Sequence, residues 1–260
     1  MIMKLSNDQK NYIIKEYIKG KSQKDLAIEF NTYNTSIRRI LIKNGISIRG
    51  NNVIQSYVKH NYFKNLKDPN TQYWLGWLAT DGCLTNGNIV LEVKEEDSYI
   101  LEYFKDFLGN SVNINKQLNK KFNCYLYRIS FKNKEIYEFL KVLGITERKS
   151  LTLQLNIPIT FSMLRGILDG DGSVKSKNRD VSIYSCSKLF INQIYDFLKT
   201  EGFSPKLNVD IKKRKNPFYR INLHKREELI RLYNLMYQDH CICLKRKQSN
   251  FGSSIGKLIE

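Results

Sequence analysis

The stretch from Trp74 to Gly82, WLGWLATDG, is written a second time from Leu164 to Gly172 as LRGILDGDG. Each copy begins as an apolar helix and ends on an acid followed by glycine. Each also carries two small residues four apart, Gly76 and Thr80 in one and Gly166 and Gly170 in the other. Positions i and i+4 share a helix face, and small residues there let two backbones approach closely. The bulky neighbours, Trp74, Leu75 and Leu78 in the first copy and Leu164, Ile167 and Leu168 in the second, anchor each helix in its own half. The two helices are therefore expected to pack on each other along a pseudo-twofold axis, with Asp81 beside Asp171. Carboxylates at helix C-termini meet the negative end of the dipole, and two together repel. A divalent hard cation bridged by both relieves that repulsion, and Mg²⁺ takes carboxylate, carbonyl and phosphate oxygens.

The repeat extends past these motifs. KDFLG at Lys105 matches YDFLK at Tyr195, and LYRISFKNKEIYEFL at Leu126 matches FYRINLHKREELIRL at Phe218, at a nearly constant offset. A unit this long is a half-domain rather than a solenoid repeat. Within each half the periodicities give helix, strands, helix, two strands, helix, an α+β arrangement with helices on one face of an antiparallel sheet. Alternation then points Tyr127, Ile129 and Phe131 toward the helices and Arg128, Ser130 and Lys132 away from them. The equivalent outward set in the second half is Arg220, Asn222 and His224. Neighbouring strands add Asn113, Asn115 and Gln117 on one side and Lys206, Asn208 and Lys212 on the other. Side by side, the two faces form a basic, amide-rich groove suited to base edges in a DNA major groove.

The first 50 residues predict three short helices. Ile13, Ile14, Tyr17 and Ile18 share a face of the first, Ser22 caps the second, and the third buries Ile37, Ile40 and Leu41. Thr35, Ser36, Arg38, Arg39 and Lys43 face outward from that third helix, an arrangement resembling a helix-turn-helix. The expected organisation is a DNA-binding domain at 1–50, a polar linker at 51–70, a first half at 71–148, a linker at 149–160, and a second half with a C-terminal tail at 161–260.

Composition fits a polyanionic partner. Lys and Arg number 43 against 25 Asp and Glu, a formal charge of +18 spread along the chain. A membrane-surface protein instead concentrates its charge on one amphipathic helix or polybasic block. The longest basic cluster, KKRK at Lys212 to Lys215, lies between two strand-like runs. There is no apolar run of bilayer length and no apolar region of a signal peptide at the start, so an intracellular protein is expected, not secreted and without a membrane partner. The five cysteines include no C-x-x-C pair and the three histidines are isolated, which argues against zinc.

WLGWLATDG and LRGILDGDG together resemble the two signature motifs of a LAGLIDADG homing endonuclease in its single-chain, double-motif form, over roughly Tyr73 to Lys247. The resemblance implies two pseudo-symmetric αββαββα halves whose sheets saddle a long asymmetric double-stranded DNA target. The acids would meet the minor groove and cut one phosphodiester per strand, leaving 3′ overhangs. By the same resemblance Asp81 and Asp171 are the metal-binding acids, with Gly82 and Gly172 beside them in the metal set. About two or three divalent ions, Mg²⁺ by expectation, would occupy the shared site. RKS at Arg148 to Ser150 and LKRK at Leu244 to Lys247 look like the family's blocks carrying a catalytic lysine; Lys149 and Lys247 match best, with Lys245 an alternative to the latter. The first motif departs from the pattern at Ala79, where the second keeps Asp169.

One chain supplies both sites, so a monomer is expected. No flanking self-splicing blocks stand beside the motifs, which favours an intron-encoded or free-standing element over an intein. The alternatives are a non-catalytic DNA-binding regulator and an intron RNA-binding maturase on the same scaffold.

Overall fold

A computed structural model describes residues 5–46, 48, 63–110, 112–176, 179–210, 216–237 and 241–256. The chain divides into two units, 1–58 and 59–260.

The first unit holds α1 (Asn7–Ile18), α2 (Gln23–Glu29) and α3 (Asn34–Lys43). Ser6 Oγ accepts from the Gln9 N–H at 3.2 Å while the Ser6 N–H donates to Gln9 Oε1 at 2.9 Å, a reciprocal cap that starts α1. Ser22 Oγ accepts from the Asp25 N–H at 3.0 Å and starts α2. Ile13, Tyr17, Leu26, Ala27, Ile37 and Leu41 form the core. Ile14 and Ile40 pack at its edge, and Ile18, expected on the buried face, is 51% exposed. One residue past Tyr17 the helix has turned by about 100°, which carries Ile18 to the solvent side.

The second unit repeats one topology. Its first half runs α4 (Pro69–Thr80), β1 (Cys83–Thr85), β2 (Asn88–Lys94), α5 (Ile100–Phe107), β3 (Ile114–Asn119), β4 (Cys124–Lys132) and α6 (Lys134–Val142). Its second half runs α7 (Phe161–Asp171), β5 (Gly172–Lys175), β6 (Asp180–Ser185), α8 (Lys188–Thr200), β7 (Lys206–Asp210), β8 (Phe218–Leu223) and α9 (Arg226–Met236). Each half has one four-stranded antiparallel sheet, ordered β1-β2-β4-β3 and β5-β6-β8-β7. The registers also repeat, with Asn115 opposite Arg128 and Asn208 opposite Arg220. The order of helices and strands read from the sequence is thus the observed one.

The expected C-terminal tail is largely a helix, α10 (Lys245–Ile255). Phe251 and Ile255 are buried one turn apart, with the Phe251 ring edge-on to Tyr233 and Tyr237 at centroid distances of 5.4 and 6.1 Å. Gly256 ends the helix at φ 80°, a conformation that favours glycine. No helix among the described residues is long and apolar enough to cross a membrane.

Helix α4 is apolar all round and is buried from Tyr73 through Ala79, because one side faces α7 and the other faces its own half, where the Trp74 ring lies 4.7 Å from that of Phe104 on α5. A Cβ on Gly76 would overlap the Met163 carbonyl, and one on Gly166 would overlap the Tyr73 carbonyl. Met163 and Tyr73 are themselves equivalent in the repeat, so the crossing is reciprocal. The side chains of Trp74, Leu78, Leu164 and Leu168 fill the two flanking cores. Gly166→Ala and Gly76→Ala are each expected to destabilise the protein by about 1–3 kcal/mol through overpacking. Urea unfolding measures this, and unchanged midpoints would show that the helices do not meet at these residues.

Candidate active site

The crossing carries both acids to one place. Asp81 follows Thr80 directly at the end of α4, and Asp171 is the last residue of α7. A side chain at Gly170 would run into Thr80 and stand 3.5 Å from Asp81 Oδ2, which shows how closely the two helix ends approach. Thr80, at the position equivalent to Gly170, turns its hydroxyl back to donate to the Trp77 carbonyl at 2.9 Å. Both acids keep solvent-accessible surface, yet each sits low among surrounding protein atoms. Desolvation, with the Asp171 charge adding to it, pushes the Asp81 carboxyl up to about 6 against the opposing pull of Lys247 and Lys149. Desolvation likewise raises Asp171, opposed by the same two lysines.

Each lysine caps the helix of its own half. Lys149, on a 3₁₀ turn at Lys149–Leu151, donates to the Thr80 carbonyl at 3.2 Å and to the Gly82 carbonyl. Lys247 donates to the carbonyls of Leu168, Asp169, Gly170 and Gly172 at 2.8, 2.6, 3.1 and 2.9 Å. Both are buried, and desolvation lowers both ammonium pKa values while the nearby acids hold them up. Lys245 takes no such place: its ammonium lies 5.9 Å from the Tyr99 ring centroid. An ammonium at a helix C-terminus satisfies carbonyls that have no intrahelical partner and offsets the dipole that the acids oppose. The carbonyls of Gly82 and Gly172, placed in the metal set from sequence, thus each serve a lysine, and a cation would have only the remaining lone pair.

Among the described residues no group of three or more His, Cys, Asp and Glu side chains is gathered to hold a metal. Two carboxylates at one point, both pushed up by desolvation, are a fit for a hard cation that completes its shell with phosphate oxygens and water.

Asp169 does not join the pair. It is buried, and its Oδ2 accepts from the Tyr73 hydroxyl at 3.0 Å and the Leu244 N–H at 2.8 Å, linking α7 to α4 and to the segment before Lys247. Its counterpart Ala79 makes no such link. Sequence reasoning missed the groups that place the lysine-bearing segments. Asp97 receives three bonds from Arg246, at 2.8, 3.1 and 2.6 Å, and the Tyr99 hydroxyl accepts from the Lys245 N–H at 2.7 Å. In the other direction, Ser187 Oγ donates to the Leu153 carbonyl at 2.6 Å and Gln193 bonds the Leu155 N–H and carbonyl at 2.9 and 2.7 Å. The segment following each half thus reaches across to the other half. Asp97 and Ser187 are equivalent in the repeat, the one signal that could have found them.

The open sheet faces carry the expected side chains. In the first half, Arg128, Ser130 and Lys132 oppose the buried Ile129 and Phe131, and Asn113, Asn115 and Gln117 are exposed beside them. In the second half, Lys206, Asn208 and His224 are exposed, whereas Lys212 lies outside the described residues. Asn222 departs from the expectation, because it is buried on the open face by a polar cluster. Its Nδ2 donates to Asp180 Oδ1 and Ser182 Oγ, both at 2.8 Å, and Arg220 pairs with Asp180 at 2.5 Å. On α3 of the first unit, Arg38, Arg39 and Lys43 are exposed.

Residues 159–236 match the family model described as a LAGLIDADG-like domain. The meganuclease I-SmaMI, solved bound to uncleavable DNA, superposes with a TM-score of 0.52 at 13% identity over 73% of this chain and 88% of that one. A variant of the homing endonuclease I-DmoI gives 0.49 at 16% over 68% and 94%, and the N-terminal LAGLIDADG domain of DUF199/WhiA gives 0.46 at 14% over 75% and 97%. The curated glutamine–fructose-6-phosphate aminotransferase of Methanocaldococcus jannaschii is 25% identical over 147 residues, 54% of this chain but 13% of that protein. The family match in the second half, the same sheet order in the first and the likeness to I-SmaMI give the chain the LAGLIDADG fold, in two halves.

The two candidate lysines of the second half separate by stability. Lys247→Met leaves four helix-terminal carbonyls without their ammonium and is expected to cost about 1–3 kcal/mol. Lys245→Met, at an exposed position, is expected to change stability by less than about 0.5 kcal/mol. Equal effects of the two in chemical denaturation would contradict the placement.

Proposed function

We propose that this chain, built as two LAGLIDADG halves on one helix crossing, is a site-specific endonuclease that cuts both strands of a long, asymmetric DNA duplex. The observation that carries the reading is the convergence of Asp81 and Asp171, each with its own buried lysine, at the end of a reciprocal helix contact. One acid and one lysine from each half give two equivalent stations, and a duplex has two strands. The basic sheet faces favour phosphate and base contacts, and a groove that crosses both halves in one chain needs no second copy.

Phosphodiester hydrolysis requires a deprotonated water in line with the leaving oxygen and positive charge on the crowded phosphate. Divalent ions held by Asp81 and Asp171, Mg²⁺ in this reading, supply both when bound. The protein's own part is electrostatic placement. Lys149 and Lys247 hold the helix ends that present the carboxylates and add positive charge where the phosphate becomes more negative. The resemblance of the motifs adds 3′ overhangs across the minor groove and an origin in a mobile intron or free-standing element inside the cell.

Selection of cleaved duplexes from a randomised library with Mg²⁺ tests the activity. On a selected target, Asp81→Asn and Asp171→Asn are each expected to slow double-strand cleavage by about 100-fold or more, since even groups behind a metal ligand are worth 10- to 100-fold. Duplex binding in Ca²⁺ should survive. Cleavage of both strands at the unmodified rate by either variant would overturn the site, and selective retention of intron RNA without cleaved DNA would favour a maturase.

The exposed cations of α3 are assigned to phosphates. Replacing Arg38, Arg39 and Lys43 with Ala in the full chain is expected to weaken binding on all duplexes alike. The slope of log affinity against log salt should become shallower by about 0.9 for each phosphate that the variant no longer neutralises. An unchanged slope would remove these residues from the DNA interface.

A further inference from the structure

The two open sheet faces are equivalent in register but not in chemistry, and the difference centres on their paired arginines. In the second sheet, Arg220 on β8 is restrained on several sides. Its Nη2 pairs with Asp180 Oδ2 at 2.5 Å and its Nε donates to Ser182 Oγ at 3.2 Å, both partners lying on β6. Its guanidinium carbon lies 5.8 Å from the Tyr184 ring centroid, and that ring stacks on Phe218 at 5.4 Å. Asp180 is the hub. Its Oδ1 also accepts from Ser182 Oγ at 2.9 Å and from Asn222 Nδ2 at 2.8 Å, and Asn222 Oδ1 in turn accepts from Asn208 Nδ2 at 3.0 Å on β7. The Asp180 side chain is 8% exposed while Arg220 remains 34% exposed.

In the first sheet, the positions equivalent to Asp180 and Ser182 are Asn88 and Val90. Neither supplies an equivalent bond, and Arg128 Nε is buried without a hydrogen-bond partner among the described residues. The same arginine in the repeat therefore has its inner edge fully bonded in one half and unsupported in the other.

We infer that Asp180, with Ser182, positions Arg220 as a preset reader of guanine in the half of the duplex that lies under the second sheet. The inference rests on the duplex-binding reading above. A guanidinium has two bidentate edges. Nε and Nη2, on the side-on edge, are spent on Ser182 and Asp180, which leaves the end-on pair, Nη1 and the outer hydrogen of Nη2, directed from the sheet. That fork matches the O6 and N7 acceptors of guanine in the major groove. A guanidinium already neutralised by a buried carboxylate is a poor phosphate contact, because its net charge is shared. Holding the fork in advance also removes rotamer freedom that binding would otherwise have to order. Arg128, lacking these supports, adapts to more than one base. Recognition is thus stricter in one half-site than in the other.

The test is a position-by-position base profile of the full-length protein, measured as duplex binding in Ca²⁺ on a target selected from a randomised library. Unmodified protein should show one guanine under the second sheet whose replacement weakens binding about 10-fold or more. Asp180→Ala should reduce the preference at that base pair to a few-fold and leave the first half-site unchanged. Freed from its carboxylate, Arg220 should bind an unrelated duplex as well as before or better, an affinity that no merely unfolded variant would keep. Asp180→Asn, of the same shape, and Ser182→Ala should lower the same preference by less, and urea unfolding checks that each variant is folded. A profile that Asp180→Ala leaves intact, or an even loss of affinity over all duplexes, would overturn the role of Asp180. A protein that selects no duplex at all would instead overturn the DNA reading on which it rests.

Discussion

The backbone contact between α4 and α7 is the constraint on which the rest depends. Gly76 meets the Met163 carbonyl and Gly166 meets the Tyr73 carbonyl, so neither helix can carry even a methyl group there without displacement. That closeness fixes the axis relating the halves. It forces each helix to bury its other side in its own half, and it brings the acids that follow the helices to one point. A wider crossing would leave Asp81 and Asp171 as two separate surface carboxylates. The cost appears in the raised carboxyl pKa values, and the compensation appears in Lys149 and Lys247, each seated on the carbonyls of its own helix end.

The lysines are placed by exchange between the halves. The segment before and through Lys247 is held by Asp97 and Tyr99 of the first half, and the segment after Lys149 is held by Ser187 and Gln193 of the second. Each station therefore depends on both halves, which ties local chemistry to global assembly within one chain. Symmetry governs this frame and ends at the sheet faces, where the Asp180 cluster has no counterpart among the described residues.

Much of this was legible in the sequence because its signals are local. The small-residue spacing in the two motifs encoded the crossing, and strand alternation sorted Arg128 from Ile129 correctly. What stayed hidden is non-local or lacks a periodic signature. Phe251 and Ile255 alone did not announce α10, since the helix around them is polar. Spacing along the chain could not choose between Lys245 and Lys247, because the choice depends on where α10 begins relative to the end of α7. Asp180 escaped notice as one acid among many bases, and Asn222 looked like an exposed reader because its partners lie on other strands. The pair Asp97 and Arg246 is separated by 149 positions along the chain, and only the repeat hinted at it.

The central claim is that one helix crossing makes a single electrostatic site from acids of both halves. Carboxyl ¹³C NMR titration of Asp81 in the metal-free protein, with and without Asp171→Asn, tests it most directly. The account predicts that Asp81 titrates at about 6 in the unmodified protein and moves down when the Asp171 charge is removed. An Asp81 that titrates near the ordinary carboxylate value of about 4 and ignores the change at Asp171 would contradict it.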